Sequence, residues 1–184
     1  MRKLANDELD RLNPEAFREA EKTPVIILLD NVRSMNNVGS VFRTADAFLV
    51  TKIFLCGYTP QPPHRDIQKT ALGATETVAW EHAPDTLTAV KKLQQEGWAV
   101  YAVEQAEQSI MLHQFVAPPQ RKTALVFGNE VEGVQQEVVS ACDGCIEIPQ
   151  FGTKHSFNIA VAAGIVVWEV YNKLQAKDDT NAGS

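Results

Sequence analysis

Three short segments carry the residues best able to do chemistry. The first is Asn36-Asn37-Val38-Gly39-Ser40-Val41-Phe42-Arg43-Thr44-Ala45, where a polar loop runs into a helical pattern. Backbone N–H groups at a helix start bind anions, and the Arg43 guanidinium adds a fork of donors suited to phosphate. The second is Leu125-Val126-Phe127-Gly128-Asn129-Glu130-Val131-Glu132-Gly133, an apolar strand ending at a glycine where a ligand can approach the backbone. It matches neither a P-loop nor a dinucleotide-binding glycine motif. The third runs from Ile148-Pro149-Gln150 through Lys154-His155-Ser156-Phe157-Asn158 and then opens a helix. Ser156 is a good N-cap for it, and residues 159–168 contain nothing polar. A helix apolar all round is buried on more than one side, so Lys154, His155, Ser156 and Asn158 sit at the mouth of a buried element, where a ligand would go. Taken singly, each segment also fits a structural role: Asn37 as a helix cap with Arg43 solvated, Gly128 as a turn, Ser156 and Asn158 as caps, and His155 as an ordinary exposed histidine.

The elements that must position these loops follow from periodicity. Residues 25–30 form a continuous apolar run closed by Asp30, the mark of a central parallel strand. Val38, Val41, Phe42, Ala45 and Phe48 recur at helical spacing, so a helix packs back on the sheet. Further strands are predicted at 52–56, 77–80, 99–103, 123–127 and 145–148, with helices at 85–95, 134–141 and from Ser156 to about Leu174. Strands alternating with helices predict an α/β fold around a mostly parallel sheet. In such sheets ligands bind beyond the carboxyl ends of the strands, where loops 31–39, 128–133 and 149–158 fall. Residues 1–22 read as an N-terminal helical arm, with Asn13-Pro14 opening a helix. Residues 23–175 read as one domain and 176–184 as a disordered tail.

The chain has 184 residues and is 45% hydrophobic, enough for a substantial core. The start carries charges and no apolar run, which predicts neither a signal peptide nor a membrane anchor. Three cysteines argue against a disulfide framework and for the cytoplasm. Cys142 and Cys145 form a C-x-x-C without a second pair, so no metal site is expected. A net charge of -6 works against indiscriminate nucleic-acid binding, which rests on neutralising phosphates, but leaves room for a local basic patch.

Taken together and in order, N-x-G-x-x-x-R-x-A, a strand ending in G-x-E-x-x-G, and I-P…S-x-N opening the last helix resemble the SpoU (TrmH-like) RNA ribose 2′-O-methyltransferases of the SPOUT superfamily. The resemblance covers residues 25–171, and Thr70-Ala71-Leu72-Gly73-Ala74 is also similar to the family's segment at that point. Phe157 and Leu49 depart from it, standing where the family has leucine and often glycine.

The resemblance implies an α/β domain with helices on both sheet faces, its C-terminal segment threaded through a loop as a deep trefoil knot. It implies S-adenosylmethionine bound by the loops around Val103, Gly128, Ile148, Ser156 and Phe157, a tRNA or rRNA substrate, and a homodimer with the active site near the interface. The functional positions it implies are Asn37, Arg43, Glu130, Ser156 and Asn158. The reaction moves a methyl group from a sulfonium to a ribose 2′-hydroxyl, so the protein must align the oxygen and assist loss of its proton. Arginine keeps its own proton in proteins. Arg43 is therefore expected to hold the substrate's phosphate and stabilise the developing alkoxide, the proton leaving through that phosphate or through His155. The competing reading is a catalytically inactive module of the same fold that binds RNA or the cofactor only.

Overall fold

The computed structural model describes residues 1–118 and 122–181. Seven strands form one sheet: β1 (Thr23–Asp30), β2 (Val50–Cys56), β3 (Trp80–Ala83), β4 (Ala99–Val103), β5 (Ile110–Met111), β6 (Thr123–Phe127) and β7 (Gly144–Glu147). Their order is β3-β2-β1-β6-β4-β7-β5, and every pairing is parallel. The helices are α1 (Pro14–Glu19), α2 (Met35–Ala47), α3 (Arg65–Ala71), α4 (Ala74–Thr77), α5 (Thr86–Gln95), α6 (Gln136–Ala141) and α7 (Ile159–Asn181). None of the described helices is long and apolar enough to cross a membrane.

The unbroken apolar run of β1 reflects burial on both faces. Val25, Ile27 and Leu29 join a core with Val38 and Phe42 of α2 and Val166 and Val170 of α7. Ile26 and Leu28 point the other way, into a second core with Val90 and Leu93 of α5 and Val138 of α6. Helices thus cover both sheet faces, and α2 and α7 share one of them. Within that layer Gly39 lets α3 approach α2, because a Cβ there would lie 2.3 Å from the Ile67 carbonyl oxygen. The glycine of the first motif therefore serves helix packing rather than a ligand.

The chain reverses direction across the sheet at β1 and β6, so the loops that follow these two strands lie side by side. A fully buried Asp30 at the end of β1 ties this region together. Its carboxylate accepts from the Thr86 hydroxyl at 2.6 Å, the Gln135 N–H at 2.9 Å and the Asn31 amide at 2.9 Å.

Three expectations change. Residues 77–80 are not a strand: Thr77 closes α4, its hydroxyl donating to Asp46 at 2.6 Å, and the strand runs Trp80–Ala83. Gly73, at φ 91, starts this extra helical turn, which overrides the β preference of Thr77 and Val78. The last helix begins at Ile159 rather than Ser156, for a reason given below. It also continues through Asn181, beyond Leu174, because no glycine or proline interrupts the stretch before Gly183. Of the expected tail, 182–184 lies outside the described residues.

Thr123 sits at the start of β6 with its hydroxyl oxygen buried and unpartnered. Thr123→Val keeps the shape and removes that desolvated hydroxyl, so thermal unfolding should show a stability unchanged or raised by about 1 kcal/mol. A loss of stability would mean that the hydroxyl is bonded in solution.

Candidate active site

The three segments meet at the carboxyl ends of β1 and β6. Gly128 follows β6, and Asn129 then closes a tight loop on itself: its N–H and carbonyl pair with Gly133, both at 3.1 Å. Its side-chain oxygen accepts from the N–H groups of Val131 and Glu132, each at 2.8 Å. A Cβ at Gly128 would fall 1.9 Å from the Gly133 carbonyl carbon and 2.1 Å from the Val134 nitrogen, so only glycine lets the loop fold over the strand end.

This loop aims Glu130 at the loop after β1. Its carboxylate accepts from the backbone N–H groups of Arg33 and Ser34, both at 3.1 Å, and from the Asn37 amide at 2.9 Å. Partial desolvation pushes this carboxyl up, but the hydrogen bonds from Arg33, Asn37 and Ser34 outweigh it and hold it below the ordinary glutamate range. The anion at this helix start is therefore the chain's own carboxylate, not a phosphate. Ser34, not Asn37, is the N-cap of α2, its hydroxyl accepting from the Asn37 N–H at 3.3 Å.

Asn37 sits in the first turn of α2 and relays the contact onward. Its side-chain oxygen accepts from the Asn158 amide at 3.1 Å. The Asn158 side-chain oxygen accepts in turn from the Ala160 N–H at 2.9 Å, and its carbonyl from Ala162 at 2.9 Å. Asn158 thus caps α7, which is why the helix begins after it. Ser156 lies in the irregular segment before the cap. The chain Glu130–Asn37–Asn158 joins residues 93 and 121 positions apart in sequence.

Beside this relay opens a cavity of about 1000 Å³. All five expected cofactor-binding residues, Val103, Gly128, Ile148, Ser156 and Phe157, line it, together with Glu130, Asn158 and His155. Glu104, Glu107 and Glu132 add further carboxylates to the lining. Sequence reading passed over Glu104. Its carboxylate accepts from the N–H groups of Gln105 at 2.8 Å and Val134 at 3.1 Å, clamping the 128–133 loop to the end of β4. A charged residue directly after an apolar strand was the available signal.

Arg43 does not line this cavity. It is exposed and borders a separate cleft of about 510 Å³ with Ser40, Thr44, Lys69, Thr70 and Gly164. Six residues beyond Asn37, it points roughly 240° around α2 from it. Of the five expected catalytic residues, the structure brings Asn37, Glu130, Asn158 and Ser156 together and leaves Arg43 on a different side of α2. That side adjoins an exposed apolar stripe on α7, Val161 and Trp168 flanking Gly164, with Trp168 in ring contact with Phe48 and Tyr171.

The sequence pattern described as the SpoU rRNA Methylase family matches residues 24–168. The 23S rRNA (guanosine-2′-O-)-methyltransferase RlmB of Vibrio parahaemolyticus is 32% identical over 158 residues, covering 85% of this chain and 62% of that protein. Its counterpart from Pseudomonas putida is 29% identical, covering 89% and 64%. The chain thus spans less than two thirds of the length of these relatives. Among solved structures, the A. aeolicus TrmH/SpoU tRNA modifying enzyme superposes with a TM-score of 0.79 at 24% identity, over 90% of this chain and 84% of that one. An AdoMet-bound rRNA methyltransferase from Sinorhizobium meliloti does so with 0.77 at 27% identity, over 86% and 60%.

Proposed function

Since the chain belongs to the SpoU rRNA methylase family, we propose that it transfers a methyl group from S-adenosylmethionine to a ribose 2′-hydroxyl of tRNA or rRNA. The observation that carries this reading is the closure of Glu130, Asn37 and Asn158 beside the cavity lined by Val103, Gly128, Ile148, Ser156 and Phe157. The cavity suits the cofactor on two counts. Gly128 lets the 128–133 loop fold tightly over the end of β6 and so shapes the wall, and the carboxylates in the lining favour a cationic ligand such as a sulfonium.

When bound, the cofactor supplies an already activated methyl group. The chain's own residues then have three tasks. Gly128, Ile148, Ser156 and Phe157 hold the ligand, and the Glu130–Asn37–Asn158 relay fixes the loops that carry them. Arg43 holds the substrate's phosphate and stabilises the developing alkoxide.

In this reading residues 23–175 are the catalytic domain, residues 1–22 an arm beside it, and the work is done in the cytoplasm. The segment around α7 forms the trefoil knot of the family, and two chains pair through α2 and α7. That pairing brings Arg43 of one protomer to the cavity of the other, which reconciles its catalytic role with its place on a different side of α2 from Asn37. The exposed stripe of Val161 and Trp168 supplies the apolar contact.

Two measurements bear on the parts. S-adenosylhomocysteine should bind the purified protein without RNA, with a calorimetric signal. No heat at millimolar ligand would remove the cofactor assignment. Light scattering should give a dimer at micromolar protein, and Gly164→Leu should convert it to monomer at little cost in folding. Within one chain a Cβ at Gly164 meets nothing within 4 Å, so a dimer that survives the substitution lies elsewhere.

The reaction itself is tested with tritiated S-adenosylmethionine and bulk tRNA and rRNA. Label is expected in 2′-O-methylated nucleosides. Cofactor binding without any transfer to either RNA would leave the inactive binding module as the reading.

A further inference from the structure

The turn after β2 presents an aromatic ring to solvent and holds it there firmly. Tyr58 is 57% exposed, yet both ends of the residue are fastened. Its backbone N–H donates to the Asn31 side-chain oxygen at 3.2 Å, and its phenol oxygen accepts from the Asn129 amide at 3.4 Å. Asn31 is itself buried, takes a left-handed backbone (φ 54), and donates to the buried Asp30. The Arg33 guanidinium, also exposed, lies 6.0 Å from the centre of the Tyr58 ring. Among the described residues, Tyr58 belongs to neither hydrophobic core. The network instead preorganises an aromatic ring with a cation set over one side of it.

We propose that the Tyr58 ring and the Arg33 guanidinium form the platform on which an unpaired base of the RNA substrate stacks next to the cavity. This rests on the methyltransferase reading above and names how its substrate is gripped. Position supports it: Asn129, which holds the phenol, and Glu130, which accepts from the Arg33 N–H, both line the cavity. A nucleotide resting on Tyr58 therefore lies against the loop that walls the cofactor site. Chemistry supports it too. Aromatic and guanidinium planes are what single-stranded RNA stacks on, whatever the base, and the cation can also reach a phosphate. A protein of net charge -6 cannot draw its RNA affinity from overall field, so local contacts of this kind must supply it. Paired bases in a duplex have no free face for such a platform, which points to loops, bulges or flipped-out nucleotides as the substrate class.

The test uses the full chain with cellular tRNA and rRNA carrying 4-thiouridine, irradiated and digested with trypsin. A crosslinked nucleotide is expected on the peptide spanning residues 53–65. Tyr58→Ala should weaken RNA binding by about tenfold or more, the range of one lost stacking contact, while Tyr58→Phe stays within about threefold of wild type. Arg33→Ala should weaken binding and flatten its salt dependence. S-adenosylhomocysteine affinity should be unchanged in all three, which also reports that each variant is folded. Wild-type RNA affinity in Tyr58→Ala, or crosslinks confined to other peptides, overturns the platform while leaving the methyltransferase reading intact. A wild-type protein that binds neither S-adenosylhomocysteine nor RNA overturns both.

Discussion

Replacing Arg43 with alanine should lower methyl transfer by at least ~10², the usual loss when one donor to a transition state is removed, with S-adenosylhomocysteine affinity within a few-fold of wild type. The separation between the two numbers is what the geometry demands. Within one chain Arg43 borders its own cleft with Lys69 and Thr70 and does not line the larger cavity proposed for the cofactor. Arg43→Lys should recover little, because one ammonium cannot reproduce a planar fork of donors on a phosphate. Single-turnover transfer of tritiated methyl, beside calorimetry with the product, gives both quantities. If affinity and rate fall by equal factors, Arg43 is structural or contacts the cofactor, and the catalytic role is wrong. If Gly164→Leu abolishes transfer together with the dimer, the arginine acts across the interface.

Gly128→Ala should have an effect of comparable size on the other half of the reaction. The added methyl would meet backbone atoms of Gly133 and Val134 at 1.9 and 2.1 Å. Those atoms cannot step aside cheaply, since the Asn129–Gly133 pairing and the Glu104 carboxylate hold them. The loop must move by about an ångström, and a displacement of that size in a positioned site can cost about 10² in function. Cofactor affinity should fall by that order and stability by roughly 1–3 kcal/mol. Gly152→Ala is the control, because a Cβ there meets nothing within 4 Å. A Gly128→Ala protein that binds the cofactor normally would mean that the loop is more pliant than its hydrogen bonds imply.

Much of this was legible in the residues, and the reasons differ from place to place. The run Val25 to Leu29 announced a central strand because burial on both faces removes every polar position. The helix after it announced itself by Val38, Val41, Phe42 and Ala45 at helical spacing. What escaped was decided by tertiary contact. Thr77 and Val78 look like strand residues until Gly73 and Asp46 turn them into the end and flank of a helix. Ser156 and Asn158 are equally good caps on paper. Asn158 takes the role, and its amide also reaches Asn37. The candidate residues could be named in advance, but their grouping could not. That Glu130 and Asn158 touch Asn37 while Arg43 stands apart depends on which way Asn37 and Arg43 leave α2 and on which loops the sheet brings to its start. Glu104 and Tyr58 carry no motif: a charge directly after an apolar strand is the sole mark of Glu104 in the sequence, and Tyr58 is marked by its bonding partners alone.

The place of β6 in the sheet has a consequence for how the chain reaches this state. β6 lies between β1 and β4 and pairs with both, yet it begins at residue 123. Until it leaves the ribosome, β1 is paired only with β2, and β4 is paired with no strand, because its other partner β7 follows β6. A partial chain therefore gains little by ordering early, and the native contacts that matter most span long stretches of sequence, which slows folding. With synthesis at about 5–20 residues per second, those apolar edges stay open for several seconds. The same central strand that precedes Gly128 and Glu130 is thus a late arrival, and the sheet on the β4 side can be built only after it, when β7 follows.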